Sequence, residues 1–340
     1  MDKKEYLNIY SLLEKYGFSY DEVVKISDDC AFERIDNGTL GVIFDNSCKY
    51  LLSKGYSVED IKNMVLISPR CLIVSDAKRK VIEDTFLELG MTQEDFRIMS
   101  IKCGNVFAYS KERIDEYINF FKEIGFSNKD IVKVFKYVMF IFRTTVVKFR
   151  MLYEDMLSLG FTKEDIYIIA KGHPAFWTHN INKVENIINT FINLGFSMKQ
   201  ARNILRRSPS LLGYSDSTII NKFNSLLELG FSLEELIFIV SEYPSIINGD
   251  IDRTSDIIEF FKSIGLYESL LKNPKSFFMQ GLDTSYSRYC YYMDKGKVVD
   301  AENYSKLFYG SKKFEKYYGF SKEDLLLKYP YDRDKVIKKK

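Results

Sequence analysis

Five cations occupy one register of a repeating chain: Lys78, Arg113, Lys148, Lys183 and Arg253 follow one another at 35 residues, with Thr218 taking the place between the last two. Evenly spaced point charges suit a phosphate backbone, which they would neutralise without reading its sequence. Three residues before each stands a helix N-cap type: Ser75, Ser110, Thr145, Asn180 and Asp250, with Ser215 before Thr218. The register is therefore position N3 of a helix. There the helix dipole opposes an exposed cation by about 0.3–1 kcal/mol. A charge repeated against local preference needs a partner, and a polyanion would supply one. The competing reading is solvated side chains whose stems cover apolar surface.

A second set lies further along each repeat. Lys136, Lys171 and Arg206, with Arg207 beside it, come eleven residues after a recurring glycine; Lys62, Arg97 and Arg202 come seven after it. The two positions are one helical turn apart and share a face. Here a structural explanation competes directly. Cations are favoured near a helix C-terminus, and Glu59, Asp60, Glu94 and Asp95 crowd the opposite end.

Catalytic chemistry has little to stand on. The two histidines, His173 and His179, lie within one short stretch with no cysteine or carboxylate cluster to complete a metal site. There is no phosphate-cradling glycine loop, dinucleotide fingerprint or nucleophile motif. Cys30, Cys48, Cys71, Cys103 and Cys290 are scattered without a paired CxxC, as buried small hydrophobes of a reducing cytosol would be. Neither an enzyme, a metal nor a cofactor is expected.

The elements that must carry the cations are legible from punctuation. Gly55, Gly90, Gly125, Gly160, Gly195, Gly230 and Gly265 are each followed by an apolar residue or tyrosine, at six identical intervals of 35 residues. Outlying Gly17 and Gly319 stand 38 before and 54 after the series. From the cap at minus fifteen, an amphipathic stretch runs to the glycine, which can take the left-handed conformation that ends a helix. Two residues on, a second cap opens another helix, mostly as a capping box: Ser57 with Asp60, Thr92 with Asp95, Ser127 with Asp130, Thr162 with Asp165, Ser232 with Glu235. Pro69, Pro174, Pro209 and Pro244, fourteen after their glycines, stop that helix. One such pair cannot bury its own apolar face, so pairs must stack, and the expected fold is an all-α, curved α-solenoid of 35-residue helix–turn–helix repeats.

The stretches Leu226-Leu227-Glu228-Leu229-Gly230-Phe231-Ser232 with Tyr243-Pro244-Ser245-Ile246-Ile247, and Phe191 to Phe196 with Ser208-Pro209-Ser210-Leu211-Leu212, resemble the repeat of the mitochondrial transcription termination factor (mTERF) family. Arg288 to Gly296, Ser305 to Phe308 and Ser311 to Phe314 resemble that family's ending. The resemblance implies a left-handed superhelix with a basic groove for duplex DNA or structured RNA. Gly104 and Met139 replace the expected proline, and Pro274 arrives early, so those helices should end differently. Pentatricopeptide repeats share the 35-residue length, but they and tetratricopeptide units pack helices through alanine, which is scarce here.

Residues 1–54 are expected to form atypical capping repeats, 55–265 the regular series and 266–340 an aromatic-rich capping unit of one continuous solenoid. Aromatics there, including Tyr289, Tyr291, Phe308 and Phe314, could stack on bases but suit a terminal core, and Lys338-Lys339-Lys340 reads as a solvated end. With 49 basic against 47 acidic residues the net charge is only +2, so a basic surface must come from arrangement. No apolar run could span a bilayer, and the start, Met1 to Glu5, resembles neither a signal nor a transit peptide. The expectation is a cytoplasmic, monomeric, non-catalytic nucleic-acid-binding protein regulating transcription, ribosome assembly or translation. The alternative is a protein- or peptide-binding scaffold, which a mixed or apolar surface would favour.

Overall fold

The computed structural model describes residues 9–27, 37–138 and 141–333. Met1 to Glu5, Cys30, Met139 and Lys338 to Lys340 lie outside the described residues. Helices joined by short turns make up the described chain, which has no strand. It is an all-α repeat solenoid, and its contacts divide it into two compact units, residues 1–181 and 182–340.

In the first unit, leading helices Asp76–Glu88, Lys111–Glu123 and Val146–Ser158 alternate with following helices Val58–Ile67, Gln93–Cys103, Asn128–Tyr137 and Lys163–Gly172. All seven glycines of the series adopt positive φ, from 73° at Gly265 to 102° at Gly90. The apolar residue after the glycine donates its N–H back over the turn: Met91 to the Phe86 carbonyl, Phe126 to Phe121, Phe161 to Met156. The flanking side chains then meet, as with Phe121 and Phe126, whose ring centroids are 5.4 Å apart. This hydrophobic clasp across a left-handed residue explains why apolar residues bracket each glycine.

The expected capping boxes are complete at Ser57, Ser127, Thr162 and Ser232, and a further one forms between Ser197 and Gln200. Thr92 makes half of one: its hydroxyl accepts from the Asp95 N–H, while the Asp95 carboxylate turns to Lys136. Of the leading-helix caps, Ser75, Ser110, Ser215 and Asp250 accept from the N3 amide, whereas Thr145 makes no side-chain cap bond.

Each of the four prolines in the regular register opens a five-residue 3₁₀ turn (Pro69–Ile73, Pro174–Thr178, Pro209–Gly213, Pro244–Asn248) that buries two large side chains or a cysteine–leucine pair. Where Gly104 stands in place of proline the turn shortens to three residues, Val106–Ala108; a 3₁₀ turn is also described at Ile141–Arg143, just after the undescribed Met139. Gly104 has φ +63°, and a β-carbon would fall 2.8 Å from an Ile67 methyl and 3.0 Å from the Met64 carbonyl oxygen. That glycine lets two following helices approach closely.

The first unit's core is aromatic. Trp177 meets Phe120, Phe121, Phe126, Phe149 and Phe176 at centroid distances of 4.8–6.4 Å, mostly edge to face. In the second unit, leading helices Ile181–Asn193 (which begins at the boundary), Asp216–Glu228 and Ile251–Ser263 alternate with Met198–Arg207 and Leu233–Glu242. After Gly265 the pattern changes to two six-residue helices, Tyr267–Lys272 and Pro274–Met279, because Pro274 interrupts early. Phe261, Phe277, Tyr304 and Phe308 then close a terminal core, with Phe277 4.6 Å from Phe261 and 4.7 Å from Phe308. Arg288 is buried beneath it, donating to the Leu307 and Tyr309 carbonyls with its guanidinium over Phe314.

Candidate nucleic-acid interface

The two sets of cations meet different partners. On the following helices of the first unit they face carboxylates, chiefly of the preceding repeat. Arg97 pairs with Asp60 at 2.7 Å and with Glu94; Lys136 pairs with Asp95 at 2.7 Å; Lys171 pairs with Asp130 at 3.0 Å. These acids sit at N2 and N3 of their helices, so Asp60 and Asp130 serve both a capping box and the neighbouring repeat, while Asp95 turns its carboxylate to the neighbouring repeat. Asp130 is the most enclosed. Burial pushes its carboxyl up, but bonds from Ser127, Lys171 and the Tyr167 hydroxyl outweigh this and hold it down at about 2. The Lys136 ammonium likewise holds the Asp95 carboxyl low. Arg207 donates to the Ser241 and Glu242 carbonyls, at the C-terminal end of the next following helix. Arg202 and Arg206 are half-buried on Met198–Arg207.

The N3 cations of the leading helices instead reach neutral oxygens. Lys78 donates to the Ala108 carbonyl at 3.1 Å, Arg113 to the Phe142 carbonyl at 2.7 Å, and Lys183 to the Tyr214 carbonyl. Each acceptor belongs to the 3₁₀ turn, or its cap, in the next repeat. These contacts supply the partner that a cation at a helix start needs, and they strap one repeat to the next. A carbonyl dipole does not cancel a unit charge, so the strap keeps its positive field while a carboxylate pair loses most of it.

Lys222 does the same from one turn further along, donating to the Gly249 carbonyl at 3.1 Å, in the repeat where Thr218 holds the register. Sequence reading missed it; a lysine four residues past the vacant register was the available signal. Lys148 and Arg253 are exposed, and among the described residues their charged groups have no hydrogen-bond, ion-pair or ring partner. Arg253 precedes the altered segment after Gly265, which contains no five-residue 3₁₀ turn. Acids share the first turns in several repeats, as Asp76, Glu112, Asp216 and Asp252; the helices carrying Lys148 and Lys183 have none there.

Groups with reactive potential are quenched or isolated. Burial pushes the Cys48 and Cys71 thiols up to about 12 and Cys103 to about 11. His173 and His179 bring their Nε2 atoms within 3.4 Å, and burial lowers the His173 pKa, favouring its neutral ring. Among the described residues no three metal-binding side chains converge, and no helix is long and apolar enough to cross a membrane.

The mTERF family model matches residues 76–186 and 177–279, which include all five N3 cations. No curated protein matches the chain.

Proposed function

The chain belongs to the mTERF family, generally nucleic-acid-binding helical repeat proteins, and on that premise we propose that it binds duplex DNA or structured RNA, without catalysis, through the N3 edge of its leading helices. Regulation of transcription, ribosome assembly or translation is the role that such binding would serve. The observation that carries the reading is the contrast in partners. Arg97, Lys136 and Lys171 of the following helices lie against Asp60, Asp95 and Asp130, whereas Lys78, Arg113 and Lys183 lie against carbonyls and Lys148 and Arg253 lie open. Only the second arrangement leaves charge for phosphates, and it does so in a protein whose formal net charge is +2.

Binding of a labelled duplex and of a structured RNA across a salt series tests this. Log affinity should fall linearly with log salt, by about 0.9 per phosphate contact for duplex DNA. Absence of salt-dependent binding to either would overturn the proposal.

A further inference from the structure

In the first unit the strap between repeats is made twice and then omitted. Lys78 and Arg113 close onto the following turn, but Lys148, next in the register, does not close onto the Pro174–Thr178 turn. A groove of about 440 Å³ lies there instead, lined by Thr144, Lys148, Met151, Thr178 and His179 among others.

Its walls are chemically uneven. The Lys148 ammonium has no partner among the described residues. Thr144 carries a hydroxyl able to donate, while the Thr178 hydroxyl already donates to the Ala175 carbonyl at 2.7 Å. The His179 ring, its Nε2 set against His173, borders the same space. The one carboxylate in the lining, Asp155, is seven residues from Lys148, about 10 Å along the helix. A cation and a hydroxyl near the start of the helix, with the acid two turns further along and an imidazole in the same lining, select an anion with several acceptor oxygens.

We propose that this groove is a phosphate-binding subsite: Lys148 and the Thr144 hydroxyl hold a phosphate group of bound nucleic acid, and the His179 ring stands beside it. The inference rests on the nucleic-acid reading above. It adds that the N3 cations are unequal, with Lys148 free to contact a ligand and Lys78 and Arg113 engaged in joining repeats.

The test uses the full chain with only two imidazole signals to follow, since His173 and His179 are its only histidines. Affinity for a labelled duplex is measured across salt for the parent, Lys148→Gln, Lys148→Arg and Thr144→Val, alongside ¹⁵N spectra of the rings. Lys148→Gln should weaken binding severalfold and flatten the salt slope by about 0.9. Lys148→Arg should restore both, and the His179 signal should move when duplex is added. If Lys148→Gln binds like the parent while Arg253→Gln does not, the subsite falls and nucleic-acid binding stands. If the parent itself does not bind, the underlying reading falls. If inorganic phosphate moves the His179 signal only with Lys148 present, while duplex leaves it unmoved, the phosphate chemistry holds but its source is a free anion, which overturns the nucleic-acid assignment of the groove.

Discussion

Leading and following helices both carry cations in register, yet in the first unit the following helices set theirs against carboxylates while the N3 cations meet carbonyls or solvent. On the following helices Lys136 and Lys171 sit against Asp95 and Asp130, and the pairs are close to neutral. On the leading helices Lys78 and Arg113 sit against carbonyl oxygens, and the charge survives the contact. A count of basic residues does not distinguish these cases; the formal charge of the partner does. The near balance of 49 basic and 47 acidic residues is thus compatible with a locally basic edge.

The sharpest disturbance should come from the paired face. Asp130 caps its own helix and receives both Lys171 and the Tyr167 hydroxyl. Asp130→Ala should destabilise by about 2 kcal/mol, the sum of a lost cap and a partly enclosed ion pair. Chemical denaturation reads this directly. Because the folded carboxyl is held at about 2, below its ordinary value, Asp130 stabilises fully above pH 4. That contribution fades as pH falls toward 2, and the variant should lose this part of the acid transition.

Next in size is the split within the leading set. Arg113→Gln removes a charged bond to the Phe142 carbonyl and the contact over Tyr109, and should cost about 1–2 kcal/mol. Lys148→Gln loses no such bond and eases a clash with the helix dipole, so its melting temperature should hold or rise slightly. Equal destabilisation of the two would erase the distinction between strap and open cation. Smallest of all, Lys136→Gln should change duplex affinity and salt slope little, since its charge is already met by Asp95. A slope flattened by a full unit would place the following helices at the ligand.

How much of this could be read from sequence follows physical range. The glycines, caps and prolines act within one turn of backbone, so Gly230 at φ +96° and the Ser232 box were legible from residue type. The exchange of a five-residue for a three-residue turn at Gly104 was anticipated only as a different helix ending. The clasp between Phe191 and Phe196 was visible as spacing but not as a contact. Partners were illegible, because they lie 29 to 41 residues away and depend on how repeats stack. The N3 register itself was found, while its resolution into straps and open cations, and the substitution of Lys222 for position 218, needed three dimensions.

One comparison tests most directly whether the leading-helix edge is the binding surface: the salt dependence of duplex or RNA binding by Lys148→Gln/Arg253→Gln against Lys136→Gln/Lys171→Gln. Both double variants remove two charges, and neither breaks a carbonyl strap. For duplex DNA, the first should flatten the plot of log affinity against log salt by about two units and weaken binding to all sequences alike, while the second stays near the parent. A flattened slope in the second with none in the first would contradict the account and move the ligand to the face that the carboxylates now cover.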